Sequence, residues 1–198
     1  MIKLFKALAF TFFFNTNIYA NTQTINPISD GALYVCGGCN TVNDGAYVLV
    51  AGYIQGSIKF SNALIPDTFS SAFLTVNPYG LPLWGKEVNI YGYGTSISAL
   101  NISDADAGTF LGKLTLPDNL GYGQDAYFDV TTFISQNTSP FVGFNLRSPG
   151  TNVFSSLEYN YGHPSQLVFT TATAVPEPKV YGMFLMGLGL IALRVRKS

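Results

Sequence analysis

Residues Ser71-Ala72-Phe73-Leu74-Thr75-Val76 show the alternation that is typical of a β-strand with one buried face. Successive side chains of a strand point to opposite sides of a sheet, so the three even-numbered residues, which are all apolar, would face a core. The odd-numbered residues are a serine, a phenylalanine and a threonine. No part of the chain shows a long apolar period of 3.6 residues. The stretch therefore predicts an all-β fold.

Other short runs rich in β-branched and aromatic residues lie on both sides of this stretch. They are residues 46–53, 57–60, 88–93, 109–116, 127–134, 141–146 and 166–171. Gly, Pro, Asn or Asp separates most of them, as in Ile65-Pro66-Asp67 and Ser148-Pro149-Gly150. About eight strands with such punctuation predict a jelly-roll-like antiparallel β-sandwich, with a lipocalin-like barrel as the alternative.

The charge of the central segment differs from that of the two ends. Residues 21–175 carry four basic and ten acidic side chains, a formal net charge of −6, whereas the whole chain is near neutral at −1. An acidic surface argues against binding nucleic acid or anionic lipid through phosphate contacts. The segment is long enough to bury a core and contains no internal repeat, so we expect a single β-sandwich domain over residues 21–174.

Residues 1–20, MIKLFKALAFTFFFNTNIYA, follow the pattern of a secretory signal peptide. Lys3 and Lys6 precede an apolar stretch, residues 4–14, and Ala20 supplies a small residue at the expected cleavage point. The alternative is an N-terminal membrane anchor, for which the apolar stretch is short. We therefore expect passage through the Sec translocon and cleavage by signal peptidase close to Ala20.

The C-terminal end combines a Pro-Glu-Pro triplet, an apolar run and a basic end. The triplet is Pro176, Glu177 and Pro178, the apolar run is residues 180–193, and the basic residues are Arg194, Arg196 and Lys197. The prolines lack amide hydrogens and fix φ, so the triplet stays extended and accessible. A helix over the 14 apolar residues would reach about 21 Å, less than the hydrocarbon thickness of about 30 Å. The basic end would remain on the cytoplasmic side.

This order of features closely resembles the PEP-CTERM sorting signal of Gram-negative bacterial surface proteins. The resemblance implies that residues 175–198 form a short transmembrane stop that an exosortase-type membrane protease removes near the triplet. Lys179 departs from the pattern, because it places a charge between the triplet and the apolar run. The implied route is export, transient anchoring in the inner membrane, and then release to the cell surface or the extracellular matrix.

The central segment, from about residue 56 to residue 171, also resembles the DNRLRE-type β-sandwich, a family similar to non-catalytic carbohydrate-binding modules. The matching stretches are residues 56–61, 65–66, 71–74, 128–131, 142–147, 154–159 and 163–167. Lys59 stands where the family usually has Arg, and a Trp-containing middle strand is not evident. The resemblance implies a sandwich fold and makes exopolysaccharide a candidate ligand.

Cys36-Gly37-Gly38-Cys39 contains the only two cysteines of the chain. In an exported protein these residues should meet an oxidising compartment, which favours a short-loop disulfide. A redox-active pair is a second interpretation, but it requires Cys36 at a helix N-terminus, and the flanking residues look extended. Metal binding is the third; zinc requires four ligands, and the only histidine is His163.

Asp104-Ala105-Asp106-Ala107-Gly108 is the best candidate for a cation site. Two carboxylates two residues apart, followed by a glycine, could offer oxygen ligands to Ca²⁺. The segment lacks the third acidic position and the terminal glutamate of an EF-hand loop, so a plain acidic turn is the alternative. We expect no other cofactor.

Aromatic and charged side chains near the strand ends are candidates for contact with a sugar. Those that could stack on a sugar ring are Tyr79, Trp84, Tyr91, Tyr93, Tyr122, Tyr159 and Tyr161. Trp84 comes first, because Pro82 and Gly85 place it in a loop. Arg147 and Glu158 end two predicted strands, where they would either pair with each other or contact a ligand.

No catalytic constellation is evident. A hydrolytic triad requires a serine, a base and an orienting acid, and the chain contains no Gly-x-Ser-x-Gly elbow to accompany His163. We therefore expect a non-enzymatic surface or matrix protein that binds exopolysaccharide. The alternatives are a purely structural or adhesive matrix protein and a cryptic polysaccharide hydrolase.

Overall fold

β-strands make up most of the chain in this computed structural model, which describes residues 17–38, 40–45, 47–79, 85–118, 120, 123–158, 163–175 and 187–188. In chain order the strands are β1 (Asn17–Ile25), β2 (Ser29–Tyr34), β3 (Thr41–Asn43), β4 (Tyr47–Val50), β5 (Ile54–Ser61), β6 (Ser71–Val76), β7 (Glu87–Thr95), β8 (Thr109–Thr115), β9 (Ala126–Asp129), β10 (Phe141–Arg147), β11 (Asn152–Ser155) and β12 (Gln166–Val175). Two 3₁₀ turns, Asn62–Leu64 and Ile102–Asp106, and one short helix, α1 (Thr131–Gln136), interrupt them.

The described strands form separate sheets. One sheet has the order β1-β12-β6-β9, a larger one β3-β2-β5-β10-β7-β8, and a third consists of β11 and β4. Each register that the described residues define is antiparallel. The all-β prediction is therefore confirmed, and the division into sheets is that of a sandwich rather than of one closed barrel. The jelly-roll order of the connections stays a prediction.

The core lies between the two larger sheets. Residues Ser71–Val76, whose alternation predicts the all-β fold, form β6 with the predicted bounds. The side chains of its three even-numbered residues are fully buried. The buried partners from the other strands include Ile58, Phe60, Val88, Ile90, Val142, Phe144, Leu146, Leu167 and Phe169. Removal of apolar surface from water is the main stabilising contribution, at about 25 cal/mol per Å².

The predicted strand at residues 127–134 is wrong in its second half. β9 ends at Asp129 and α1 begins at Thr131, because the Asp129 carboxylate accepts a hydrogen bond from the Thr131 backbone N–H at 2.9 Å and starts the helix. Hydrogen bonds from the side chain and backbone of Thr131 hold the pKa of the Asp129 carboxyl below its usual range. None of the eight predicted strand runs covers β1, β2, β3 or β11, although the residues that flank the two cysteines and those before Glu158 look extended in the sequence.

The chain divides into two units, one formed by Met1–Asn21 with Ala172–Ser198, and the other by Thr22–Thr171. In the first unit the structure describes residues 17–21 of β1, residues 172–175 of β12, and Gly187 and Leu188, which are helical. β1 begins at Asn17, so the last residues of the predicted signal peptide belong to a strand.

Within the described part of the chain, no helix has the length and apolar character that a membrane crossing requires. The apolar core of the predicted signal peptide, and all but two residues of the predicted C-terminal helix, lie outside that part. Both therefore stay predictions.

Candidate functional site

Two exposed tyrosines lie side by side where β4 and β11 pair. Tyr47 is 47% exposed and Tyr79 is 41% exposed, and their ring centroids are 6.2 Å apart with 30° between the ring planes. Tyr47 pairs with Ser155 in the register of β4 and β11, and the backbone N–H of Tyr79 donates to the carbonyl of Val153 at 2.8 Å. The backbone of β11 therefore positions both rings.

A row of polar side chains begins beside this tyrosine pair. The Asn77 carbonyl accepts a hydrogen bond from the Ser155 backbone N–H at 2.8 Å, and the Asn77 side chain donates to the Asp125 carboxylate at 3.3 Å. His163 Nε2 lies 3.4 Å from the same Asp125 oxygen. Ser155 contacts Asn77 and also pairs with Tyr47, so the backbone of β11 connects the polar row to the tyrosine pair. We call Tyr47, Tyr79, Asn77, Asp125 and His163 together the tyrosine end site.

The tyrosine end site combines an aromatic surface with groups that bind hydroxyls. Aromatic rings present an apolar face, and a tyrosine adds a hydroxyl at its edge. Asp125 and His163, whose side chains are 18% and 37% exposed, supply an acceptor and an imidazole, and the buried Asn77 amide holds the Asp125 carboxylate in place. Sugars have apolar ring faces and a rim of hydroxyls, so this combination suits a sugar better than a fully apolar ligand.

A buried ion pair fixes residues 97–107, the cover segment, against the face of the larger sheet that is turned away from the core. Lys59 is fully buried in β5, and its Nζ lies 2.7 Å from Asp104 Oδ2. The same ammonium donates to the carbonyls of Ile97 at 3.2 Å and Ala99 at 2.7 Å. Its three donors therefore have three acceptors, all of them in the cover segment.

A capping box shapes the 3₁₀ turn of the cover segment. Asn101 Oδ1 accepts from the Ser103 backbone N–H at 3.0 Å, and Asp104 Oδ2 accepts from the Asn101 backbone N–H at 2.7 Å. The reciprocal bonds satisfy donors that the start of a helix leaves without partners. Asp104 and Asp106 are the predicted Ca²⁺ ligands, but the Asp104 carboxylate is engaged by Lys59, and Asp106 is exposed. The geometry gives no support to a Ca²⁺ site at this turn.

Two side chains of β10 donate hydrogen bonds to backbone carbonyls of the cover segment. Asn145 in β10 donates to the carbonyls of Asp104 and, at 3.0 Å, of Ala107. Arg147 Nη2 donates to the Ala105 carbonyl at 2.6 Å, and the guanidinium lies 3.9 Å from the centre of the Tyr91 ring. Stacking on a ring and bonding to a carbonyl occupy this arginine within the fold.

Tyr93 completes the buried polar layer under the cover segment. Its hydroxyl lies 3.1 Å from Ser57 Oγ, and Lys59 Nζ lies 5.9 Å from the centre of its ring. Burial raises the pKa of the Tyr93 hydroxyl, the hydrogen bond with Ser57 opposes the shift, and the Asp104 carboxylate adds to it. Tyr93 is thus a buried structural residue, and Tyr91 is covered by Arg147, so neither forms an open stacking surface.

The predicted pair between Arg147 and Glu158 is wrong, because Arg147 is turned towards Ala105 and Tyr91. Glu158 is exposed and lies in the same turn as Leu157, whose backbone N–H donates to both oxygens of the buried Asp30 carboxylate at 3.1 and 3.3 Å. Burial raises the pKa of Asp30 to about 7, the Leu157 hydrogen bond opposes this, and the charge of Glu158 adds to it.

Several predicted site residues lie outside the described part of the chain. They are Cys39, Trp84, Tyr122, Tyr159, Tyr161, the Pro176-Glu177-Pro178 triplet and the basic residues Arg194, Arg196 and Lys197. In the sequence, the segment with Trp84 follows Tyr79 directly, and the segment with Tyr159 and Tyr161 ends directly before His163. Cys36 is part of a disulfide, and its pairing with Cys39 stays a prediction.

Sequence reasoning named Tyr79 as a stacking candidate and discussed His163, but it missed Tyr47, Asn77 and Asp125. Tyr47 was assigned to a strand, where an aromatic residue is usually part of the core. Asn77 and Asp125 are 48 positions apart in the sequence, and only the fold places their side chains in contact. No local motif marks such a pair.

The C-terminal residues 174–198 match the PEP-CTERM protein-sorting motif. The match contains the Pro-Glu-Pro triplet, the apolar run and the basic end on which the resemblance was based. No curated protein matches the chain. The resemblance of residues 56–171 to the DNRLRE-type sandwich stays a prediction.

A PEP-CTERM motif implies processing by exosortase, a membrane enzyme. The fold and the motif together define the class of protein: an exported, membrane-processed protein with an all-β domain in front of its sorting signal.

Proposed function

We propose that the processed protein is a non-catalytic component of the cell surface or extracellular matrix whose β-sandwich binds exopolysaccharide at the tyrosine end site. The observation that carries the proposal is the exposed pair Tyr47 and Tyr79, with centroids 6.2 Å apart, beside the polar side chains of Asn77, Asp125 and His163. The sorting motif supports the location, because it implies an exported, membrane-processed protein.

The spacing of the two rings suits an extended ligand. Adjacent tyrosines, tilted by only 30°, can contact successive apolar faces of one chain. Each stacked ring contributes about 1 kcal/mol beyond its buried area. Asp125 and His163, the two partly exposed members of the polar row, then supply hydrogen bonds that would orient the hydroxyls and set specificity.

A hydrolase is the second candidate, because His163 and Asp125 resemble the base and orienting acid of a catalytic site. The geometry favours binding over hydrolysis. His163 Nε2 faces Asp125 at 3.4 Å, and Nδ1 lies 3.0 Å from the Pro164 carbonyl. Both ring nitrogens therefore face acceptors, and among the described residues neither is directed at a hydroxyl from which it would take a proton. A polysaccharide hydrolysis assay with His163→Ala as the control tests this candidate; measurable hydrolysis that the substitution abolishes would support it.

Removal of the tyrosine rings should weaken retention in gels that contain polysaccharide from the producing organism. Loss of about 1 kcal/mol of stacking per ring corresponds to about a fivefold decrease in affinity for each of Tyr47→Ala and Tyr79→Ala. The double variant should lose about twentyfold or more. Affinity electrophoresis of the secreted protein measures these changes.

Two controls separate stacking from other causes. Tyr53 is 61% exposed in the turn before β5, and Tyr53→Ala should leave retention unchanged. Tyr47→Phe keeps the ring and should retain most of the binding. Equal retention of the wild type and the double alanine variant would exclude this surface, and absence of any retained polysaccharide would exclude sugar binding.

A further inference from the structure

We infer that the polymer bound at the tyrosine end site is uncharged and not a polyanion such as a uronate-containing polysaccharide. The inference rests on the proposed sugar-binding function and adds the charge class of the ligand. It depends on where every basic side chain of residues 21–175 is placed.

Residues 21–175 contain only four basic side chains, Lys59, Lys86, Lys113 and Arg147. Lys59 is fully buried, and its ammonium is taken up by Asp104 and two carbonyls of the cover segment. Lys86 forms an ion pair with Asp118, and Lys113 Nζ lies 2.9 Å from Glu87 Oε2. Each lysine therefore already faces a carboxylate of the same domain.

Arg147, the fourth basic residue, is also engaged by contacts within the domain. Arg147 presents its Nη2 to the Ala105 carbonyl at 2.6 Å, and its guanidinium lies against the Tyr91 ring. The usual recognition of a carboxylate by arginine uses two parallel hydrogen bonds from a free guanidinium edge. Each such edge of Arg147 includes either Nη2, which is bonded to the Ala105 carbonyl, or Nε, which is buried, so the arginine could offer one only by releasing the cover segment.

The charges at the tyrosine end site itself are acidic. Asp125 belongs to the polar row, and the only histidine of the chain, His163, faces that same carboxylate. With a formal charge of −6 over residues 21–175, a repeating polyanion would meet net repulsion, and the two exposed lysines, Lys86 and Lys113, are not members of the tyrosine end site and already pair with Asp118 and Glu87. The repulsion acts over a Debye length of about 8 Å at physiological ionic strength. A neutral polymer is not repelled by these charges and can still form the stacking contacts and hydrogen bonds.

Affinity electrophoresis of the secreted protein against two sets of polymers tests the inference. The neutral set is an α-glucan, a β-glucan and a galactomannan; the acidic set is alginate, polygalacturonate and hyaluronan. Methyl-esterified polygalacturonate is a matched control, because it keeps the backbone and removes the charge. Each polymer is tested at low and at physiological salt.

We expect at least one neutral polymer to be retained at least tenfold more strongly than any acidic one, with little effect of salt. Esterification should increase the retention of polygalacturonate. Stronger binding of an acidic polymer at low salt, weakened as salt is added, would overturn the inference while leaving sugar binding intact. Retention of no polymer in either set would refute the proposed function and this inference with it.

Discussion

Replacement of Lys59 by methionine should lower the free energy of unfolding by about 3 to 5 kcal/mol. The substitution keeps most of the apolar stem but removes the ammonium, so the nearly buried Asp104 carboxylate loses its cation. The carbonyls of Ile97 and Ala99 lose their donor at the same time. A buried carboxylate without a partner is costly because it has given up its hydration. Urea denaturation measures the loss.

Lys113→Met is the matched control for this experiment. The Lys113–Glu87 pair is 2.9 Å long, close to the 2.7 Å of the Lys59–Asp104 pair, but its two side chains are 56% and 57% exposed. Exposed pairs contribute about 1 kcal/mol or less, so this substitution should have little effect. The double variant Lys59→Met, Asp104→Leu should recover part of the stability, because it removes both buried charges. Equal losses in Lys59→Met and Lys113→Met would contradict the role of the buried pair.

Stability of the wild type should fall as pH rises from about 4 to about 7, and Asp30→Asn should remove this part of the fall. The fully buried Asp30 carboxyl keeps its proton up to a pKa of about 7 in the folded chain, against an ordinary value of 3.8. The folded state therefore binds more protons than the unfolded state across this window. Its contribution is complete below the ordinary value and is lost as pH rises through the folded value.

The expected difference is large. A shift from 3.8 to about 7 corresponds to about 4 kcal/mol over the window. Denaturation curves for the wild type and Asp30→Asn, measured at intervals between pH 4 and pH 8, should diverge in favour of the variant as pH rises. Subtracting one curve from the other cancels the other titrating groups. Parallel curves would show that Asp30 does not titrate in this range.

Period-two alternation predicted much of the sheet structure, as β6 shows. It failed where apolar and polar residues do not alternate. β3 has only three residues, all of them exposed. The buried part of β2 contains Asp30 and Gly31 beside Ala32 and Leu33. It also failed at residues 131–134, where β-branched and aromatic residues form the start of α1, and the Asp129 carboxylate accepts a hydrogen bond from the backbone N–H of its first residue. Tertiary context and a local hydrogen bond there override residue preference.

The candidate site was less accessible to sequence reasoning, for a physical reason. Asp104 and Asp106 suggested an ion site because they are two residues apart in the sequence. The sequence does not show that Lys59, 45 residues earlier, lies against Asp104 in the fold. A lysine between Ile58 and Phe60 in strand β5 was the available signal that a buried acid should lie opposite it. Tyr47 and Tyr79 carry no such signal, because only the pairing of β4 with β11 brings them together.

The sorting signal behaves in the opposite way. An enzyme reads the Pro-Glu-Pro triplet as an extended segment, so its meaning lies in the order of residues and not in a folded geometry. The match of residues 174–198 to the PEP-CTERM motif therefore confirms what the sequence indicated.

Mass spectrometry of the protein recovered from the surface and medium of the producing bacterium tests the central claim, export followed by exosortase processing, most directly. A strain without exosortase is the control and should retain the full tail in its membrane fraction. In the wild-type strain we expect a chain that begins close to Asn21, ends close to the Pro176-Glu177-Pro178 triplet and lacks residues 180–198. A mature surface form that still contains residues 180–198 would contradict the account.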